Sequence, residues 1–318
     1  MTGGTGSIGL ELVQTLLRHH PKEIRVLSND ENGLFEASNF LDSPIVKYYL
    51  GDVRDSRSIE RAMSSCDIVF HAAALKHVVF CEANPYEAIS TNISGTQNMI
   101  ESALKNSVKR FVFISTDKAA NPVSAMGATK LLGERLVSNA GKTSPSTIFS
   151  IVRFGNVLGS RGSVAVIFER QVKDGKAITV TDPLMTRFIM APSDASALIL
   201  HAAEIAMPGE IFVLKMRAVQ IGDLAEACKQ FYAKIYHRDA RKIGTRVTGA
   251  QPGEKMHELL MTADEAAGAY DFRKYFIINP HPRRSLEDAK PLLHAQSIAS
   301  NLVPPAERKE IISFLSKL

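Results

Sequence analysis

The residues of this sequence best able to move protons lie in one stretch, FVFISTDKAANPVSAMGATK, residues 111–130. It sets Thr116, Asp117 and Lys118 in a row and adds a second amine at Lys130, with Met126 between them. A carboxyl group donates a proton when burial keeps it protonated, and an amine accepts one when desolvation or a neighbouring cation removes its charge. The same string can be a solvated loop with an Asp–Lys pair, so the choice rests on what positions it. The run Arg110–Ser115 has the β-branched and aromatic density of a buried parallel strand, which places Ser115 to Lys118 at its carboxyl end. In doubly wound sheets that end faces the ligand crevice. Asn121-Pro122 then turns the chain, and Ser124 can cap a helix reaching Asn139, on which Met126 and Lys130 share a face.

The framing elements read as alternating strands and helices. The chain opens MTGGTGSIGLELVQTLLRHH, where Gly3, Gly4, Gly6 and Gly9 lead into a helix with Ile8, Leu12 and Leu16 at helical spacing. Such a turn, with Thr5 and Ser7 beside the glycines, can cradle a pyrophosphate on free backbone N–H groups, or can merely connect elements. The strand that should precede it is missing, since only Met1 and Thr2 come before Gly3. An open slot in a parallel sheet would leave backbone groups unpaired, so a truncated or mis-assigned start is expected. Glu23–Ser28 reads as the next strand, and Ser28, Asn29 and Asp30 follow where the adenosine ribose would lie. An acid there favours an unphosphorylated ribose and an arginine a 2′-phosphate, and the local chemistry leans to NAD.

Strand Ile45–Leu50 ends in Gly51-Asp52-Val53, where Asp52 can accept from an adenine amino group or cap the segment from Ser56. Strand Asp67–His71 ends in Ala72, Ala73 and Ala74, small enough for a flat cofactor to lie on the backbone, with Lys76 and His77 on the loop beyond. Asn92, in a helix beginning near Pro85, reads as structural. Strand Thr147–Arg153 leads into FGNVLGSRGS, a glycine-rich loop with Asn156, Arg161 and Ser163 that suits an anion, Arg161 being a natural partner for phosphate. After about residue 160 the alternation loosens. A dinucleotide-binding domain over 1–160 is therefore expected, with a smaller, interleaved substrate-binding region over 161–318. Loops carrying Thr181, Met185, Arg187 and Glu254 would hold the substrate.

Composition narrows the function classes. With 45% hydrophobic and 22% charged residues in 318, the chain is an ordinary globular protein. Its net charge of +5 is spread out and lacks the basic stripe of a nucleic-acid binder, so an anionic small molecule is the expected partner. Cys66, Cys81 and Cys228 have neither disulfide-framework nor zinc-site spacing, which points to no metal and a reducing cytoplasm. No apolar run approaches the roughly 20 residues that span a bilayer and no leader pattern is present, so no membrane role is expected.

Taken in order, GGTGSIG, GDV, HAAA, STDK, MGATK and RFGNVLGSRGS resemble the extended short-chain dehydrogenase/reductases that act on nucleotide-sugars, over nearly the whole chain. AALKHV, STDKAANP, MGATK, RFGNVLGSRGSV, TDPLMTRF and PGEKMHELL resemble more narrowly the C5-inverting UDP-N-acetylglucosamine 4,6-dehydratases of surface-polysaccharide synthesis. The resemblance implies an α/β fold: a Rossmann-type doubly wound parallel sheet with a smaller C-terminal substrate-binding subdomain. It implies UDP-N-acetylglucosamine as substrate, NADP as cofactor with NAD left open, and a homo-oligomer, dimer or larger. It also implies a reaction in which C4 is oxidised, the C5 proton removed, the C6 hydroxyl lost as water and C6 reduced, with no net oxidation.

In that scheme Lys118 is the base at C5 and Asp117 the acid for the leaving hydroxyl, with Thr116 and Lys130 beside them. Dehydratases that retain C5 configuration have glutamate where this chain has Lys118. As a base Lys118 must be neutral, which desolvation and the cation of Lys130 would favour. Asn92 and Lys130 join the cofactor contacts, and Lys76 serves both ligands. Three positions depart from the pattern. Met126 replaces the tyrosine of Tyr-x-x-x-Lys and cannot transfer a proton, leaving Lys118, Asp117 or Lys130 through a ribose hydroxyl as acceptors for the C4 hydroxyl proton. Gln251 stands where arginine often precedes Pro-Gly-Glu-Lys, so the diphosphate would lean on Arg161 and Arg187. Asn29 stands where small soluble relatives often have arginine. A nucleotide-sugar 4-epimerase and a non-catalytic dinucleotide-binding protein are the competing readings; the first would ordinarily depend on the missing tyrosine.

Overall fold

The computed structural model describes residues 1–144, 146–287, 289–292 and 296–317. The alternating pattern folds as α1 (Ser7–Leu17), β1 (Ile24–Ser28), α2 (Glu31–Leu41), β2 (Val46–Leu50), α3 (Ser56–Met63), β3 (Ile68–His71), α4 (Val78–Ala83), α5 (Pro85–Ile89), α6 (Gly95–Lys105), β4 (Arg110–Thr116), α7 (Ala125–Thr143) and β5 (Ile148–Phe154). A π-helical turn, Ser90–Ser94, joins α5 to α6. β3, β4 and β5 pair in parallel, with Val112 opposite Phe70 on one side and Ser150 on the other. Phe111, Phe113, Phe149 and Ile151 are buried on these strands because helices, α7 and α9 (Pro192–Ile205) among them, cover the sheet.

β1 and β2 form a separate parallel pair, and the first residues run between β1 and β3. Thr2 bridges in parallel to Leu27 on one side and His71 on the other. The Thr2 N–H donates to Phe70 O at 3.0 Å, and the Leu27 N–H donates to Met1 O at 2.8 Å. The Met1 ammonium donates to Arg25 O, and burial lowers its pKa to about 6. The sheet is thus joined at the end where the glycine turn leaves it.

After β5 come β6 (Asn156–Val157), α8 (Val164–Lys173), β7 (Ile178–Val180), β8 (Thr186–Met190), α9, β9 (Ile211–Leu214), β10 (Arg217–Gln220) and α10 (Ile221–Ile235), with strands following one another directly at β7–β8 and β9–β10. β9 adds in parallel to β5, and Tyr275–Ile278 adds antiparallel to β9, so the C-terminal half extends the main sheet. β8 forms a small sheet with β6 and β10. A second apolar core, with Phe168, Val219, Leu224 and Ile311, lies apart from the one beneath the main sheet. No helix among the described residues is long and apolar enough to cross a membrane.

Candidate active site

The carboxyl ends of β1, β3, β4 and β5 open on a cleft of about 660 Å³. Its dinucleotide half is built on the glycine turn. Gly3 has φ +63°, and a Cβ there would lie 2.8 Å from Ala73 N; at Gly9 a Cβ would come within 2.6 Å of Gly4 Cα. Side chains are therefore excluded where the turn enters α1. No side chain caps that helix, so its first N–H groups are free to hold a pyrophosphate, and a dinucleotide fits this half. Thr5 and Ser28 share a hydrogen bond of 3.0 Å, and Asp30 caps α2 by accepting from Gly33 N at 2.9 Å. Asp52 accepts from Asn29 Nδ2 at 3.0 Å and from the Arg54 guanidinium at 2.7 Å, and the Arg54 hydrogen bonds hold its pKa near 2. The cap of α3 is Asp55, so the reading of Asp52 as that cap is corrected: a cap must immediately precede its helix.

Ile8, Val53, Ala72, Ala73 and Ala74 also line this half, and Asn92 does not. The Asn92 side chain is buried, accepting from Leu75 N at 2.8 Å and donating to Leu75 O and Thr129 Oγ1. Its expected cofactor contact is corrected to a tie between the loop after β3 and α7. The glycine-rich loop crosses the cleft: the Arg161 N–H donates to Ser7 Oγ at 2.8 Å and Lys76 Nζ donates to Arg161 O at 2.7 Å. The Arg161 guanidinium pairs with Glu36 at 3.2 Å and lies 3.8 Å from Asp30. It therefore turns towards α2 while still lining the cleft. His77 packs against Gly162, and Ser163 Oγ is buried without a partner at the start of α8.

The proton-moving residues gather at the end of β4. Thr116, Lys118, Met126, Lys130 and Asn156 line the cleft; Asp117 is fully buried behind them. Asp117 Oδ1 accepts from Thr116 Oγ1 at 2.9 Å and from Lys118 Nζ at 3.0 Å, and Oδ2 has no partner. Only glycine at 155 leaves room for it, since a Cβ there would lie 3.0 Å from Oδ2. Lys118 is also 3.3 Å from Glu258, a buried carboxylate contributed by the C-terminal half. Burial raises the Asp117 pKa, against Lys118 and with Glu258. Burial opposes the charge of Lys118 too, but Asp117 and Glu258 outweigh it and raise the Lys118 pKa. Lys118 is held charged in the substrate-free protein, which corrects the expectation of a neutral amine beside Lys130. The amine near neutrality is Lys130: it donates to Ile114 O at 2.6 Å, sits 4.0 Å over the Phe113 ring, and burial lowers its pKa to about 7.

Beneath these groups Arg153, fully buried, donates to Glu134 on α7 at 2.6 Å and to Glu265 at 2.8 Å, while Ser115 Oγ donates to Glu134 at 2.6 Å. Thr181, Met185, Arg187 and Glu254 do not line the cleft. Thr181 donates to Met185 Sδ, Met185 is buried in the second core, and Glu254 accepts from Gln251 N within its own turn. Arg187 donates to Thr186 O at 2.8 Å and lies 3.8 Å from Glu258, behind Lys118. Glu258 and Glu134 were missed by sequence reasoning. A charge opening the apolar run Leu259-Leu260-Met261 was the available signal for Glu258.

A polysaccharide biosynthesis protein family model matches residues 1–280. The chain is 48% identical over 283 residues to an uncharacterised membrane protein of Methanocaldococcus jannaschii, covering 88% of this chain and 85% of that one. It is 43% identical over 296 residues to a UDP-glucose 4-epimerase of Rickettsia conorii, covering 91% and 84%. It is 39% identical over 284 residues to an inverting UDP-N-acetylglucosamine 4,6-dehydratase of Campylobacter jejuni, covering 88% and 82%. The X-ray structure of Pen from Bacillus thuringiensis superposes with a TM-score of 0.92 at 40% identity, over 99% of this chain and 96% of that one.

Proposed function

This chain belongs to the polysaccharide biosynthesis protein family, among the extended short-chain dehydrogenase/reductases of nucleotide-sugars, and we propose that it is a C5-inverting UDP-N-acetylglucosamine 4,6-dehydratase. The observation that carries the reading is Lys118 at the cleft wall with Asp117 directly behind it, an amine and a carboxyl group in contact at the end of β4. A nicotinamide dinucleotide, NADP or NAD, when bound on the glycine turn supplies reversible two-electron oxidation of the sugar carbinol.

The chain's own groups do the rest. Lys130, with a pKa near 7, can exchange a proton close to neutral pH, which suits it to take up the C4 hydroxyl proton where Met126 cannot. Lys118 is the base for the C5 proton, acting in the amine form reached when its ammonium proton is released to water, and Asp117, kept protonated by burial, is the acid from which the C6 hydroxyl takes its proton as it leaves. Asn156, 3.4 Å from Lys118 Nζ, orients that amine. Lys76, His77 and Ser163 are the cleft residues proposed for the UDP-sugar.

The 4-epimerase reading has its own support in the Rickettsia relatives, which are 41–43% identical. One measurement separates the two. Incubated with UDP-N-acetylglucosamine in D2O, a dehydratase yields a product lighter by one water and carrying deuterium at C5. A C4-epimer of unchanged mass and no label would overturn the dehydratase reading, and unchanged substrate with cofactor bound would favour a binding protein.

A further inference from the structure

Glu258 has no part in the reaction as derived above, yet it is one of the most deeply buried carboxylates in the molecule, with 3% of its surface exposed. Its backbone is pinned: Glu258 N–H donates to Ser300 Oγ at 2.9 Å, and Ser300 N–H donates to Glu258 O at 2.9 Å. Its side chain is aimed back across the domain at the end of β4. Oε1 lies 3.3 Å from Lys118 Nζ and 3.8 Å from Arg187 Nε, while Oε2 is buried without a partner. Lys255, whose Nζ donates to Ala120 O, is a further cation acting on it, and His257 next to it is tied to Thr186 Oγ1. A buried carboxylate with an unbonded oxygen costs free energy unless cations offset it. Here two carboxylates, Asp117 and Glu258, share the single ammonium of Lys118.

We infer that Glu258 divides the protons of this buried group: its negative charge holds Lys118 as ammonium and, by disfavouring a second anion, holds Asp117 in the acid form. This inference deepens the dehydratase reading and rests on it for the roles of acid and base. The asymmetry follows from the neighbours. Within 4 Å Glu258 has two cations, Lys118 and Arg187, whereas Asp117 has Lys118 alone; Lys255 acts on both carboxyl groups from farther away. Two close carboxylates with unequal cation sets take on unequal protonation, the better-paired one ionising first. Glu258 is thus a positioning residue, acting through Lys118 and Asp117 without lining the cleft.

The test is a direct titration of the carboxyl and lysine side-chain carbons by NMR in the cofactor-bound protein, with Lys118→Ala and Asp117→Asn used for assignment. In the wild type, Asp117 should carry a proton and Lys118 a charge at neutral pH; a protonated Glu258 beside an ionised Asp117 overturns the inference. In Glu258→Gln the Lys118 midpoint should fall by about one to three pH units and Asp117 should ionise at lower pH. Glu258→Asp, which keeps the charge, should restore both midpoints towards wild type. Unmoved midpoints in a Glu258→Gln protein that still binds cofactor overturn the inference; if that variant does not fold, the wild-type protonation order decides. In turnover, the acid limb of kcat/KM should shift to lower pH with the Lys118 midpoint. A wild type that binds UDP-N-acetylglucosamine without dehydrating it would sink the dehydratase reading, while the titrations would still decide the role of Glu258.

Discussion

Lys118 has two carboxylate neighbours and Lys130 has none in contact, so two lysines close in sequence differ in charge at neutral pH. This difference gives each a distinct expected phenotype. Lys118→Ala should reduce C5 proton exchange at least ~10²-fold, the usual scale of a lost general base, while cofactor affinity persists. Exchange measured by NMR in D2O alongside cofactor titration checks this; retained exchange would remove Lys118 from its role. Lys130→Met should abolish a limb near pH 7 in the rate of cofactor reduction by substrate, followed by absorbance, since the group titrating there would be gone. Asp117 and Lys118 were legible because a strand-end Asp–Lys pair is a local pattern. Their protonation was not, because it is set by Glu258, which lies far along the chain.

At the scale of elements, α7 carries Met126, Lys130 and Glu134 one turn apart on a single face, and that face meets β4 and β5. Glu134 ties it down through Ser115 and Arg153. Glu134→Ala should leave Arg153 with Glu265 as its remaining carboxylate and cost about 3–5 kcal/mol in urea unfolding, as breaking a buried ion pair does. A loss below ~1 kcal/mol would show that the helix is held by packing alone. The α1 turn is the second element that admits a sharp test. Gly9→Ala places a Cβ against Gly3 O and Gly4 Cα, so cofactor affinity should drop more than ~10-fold by calorimetry through distortion of the anion-binding backbone. Wild-type affinity would mean that the turn relaxes without consequence.

For the whole molecule, two buried bases set a pH dependence of stability with one sign. Burial lowers His71 to about 3, and Lys130 to about 7, each below its unfolded value. The unfolded chain therefore binds more protons than the folded one between about pH 3 and 6.5 for His71, and between about pH 7 and 10.5 for Lys130. Stability should rise with pH through both windows, by roughly 5 kcal/mol each if no other group compensates. Unfolding free energies across pH, with Lys130→Met flattening the upper window, test this; an unchanged slope in that variant would exclude Lys130 as its source. The sequence by itself determined the order of strands and helices up to about residue 160, the glycine turn and the strand end bearing Thr116 to Lys118. Periodicity, turn chemistry and residue type are local properties, so those elements could be read directly. Only the tertiary structure decided that Thr2 bridges the sheet, that Arg161 faces α2, that Asp117 lies behind the cleft and that Glu258 completes its charge balance. Charge states depend on which groups are brought within a few ångströms, and that is fixed by the packing of segments distant in the chain.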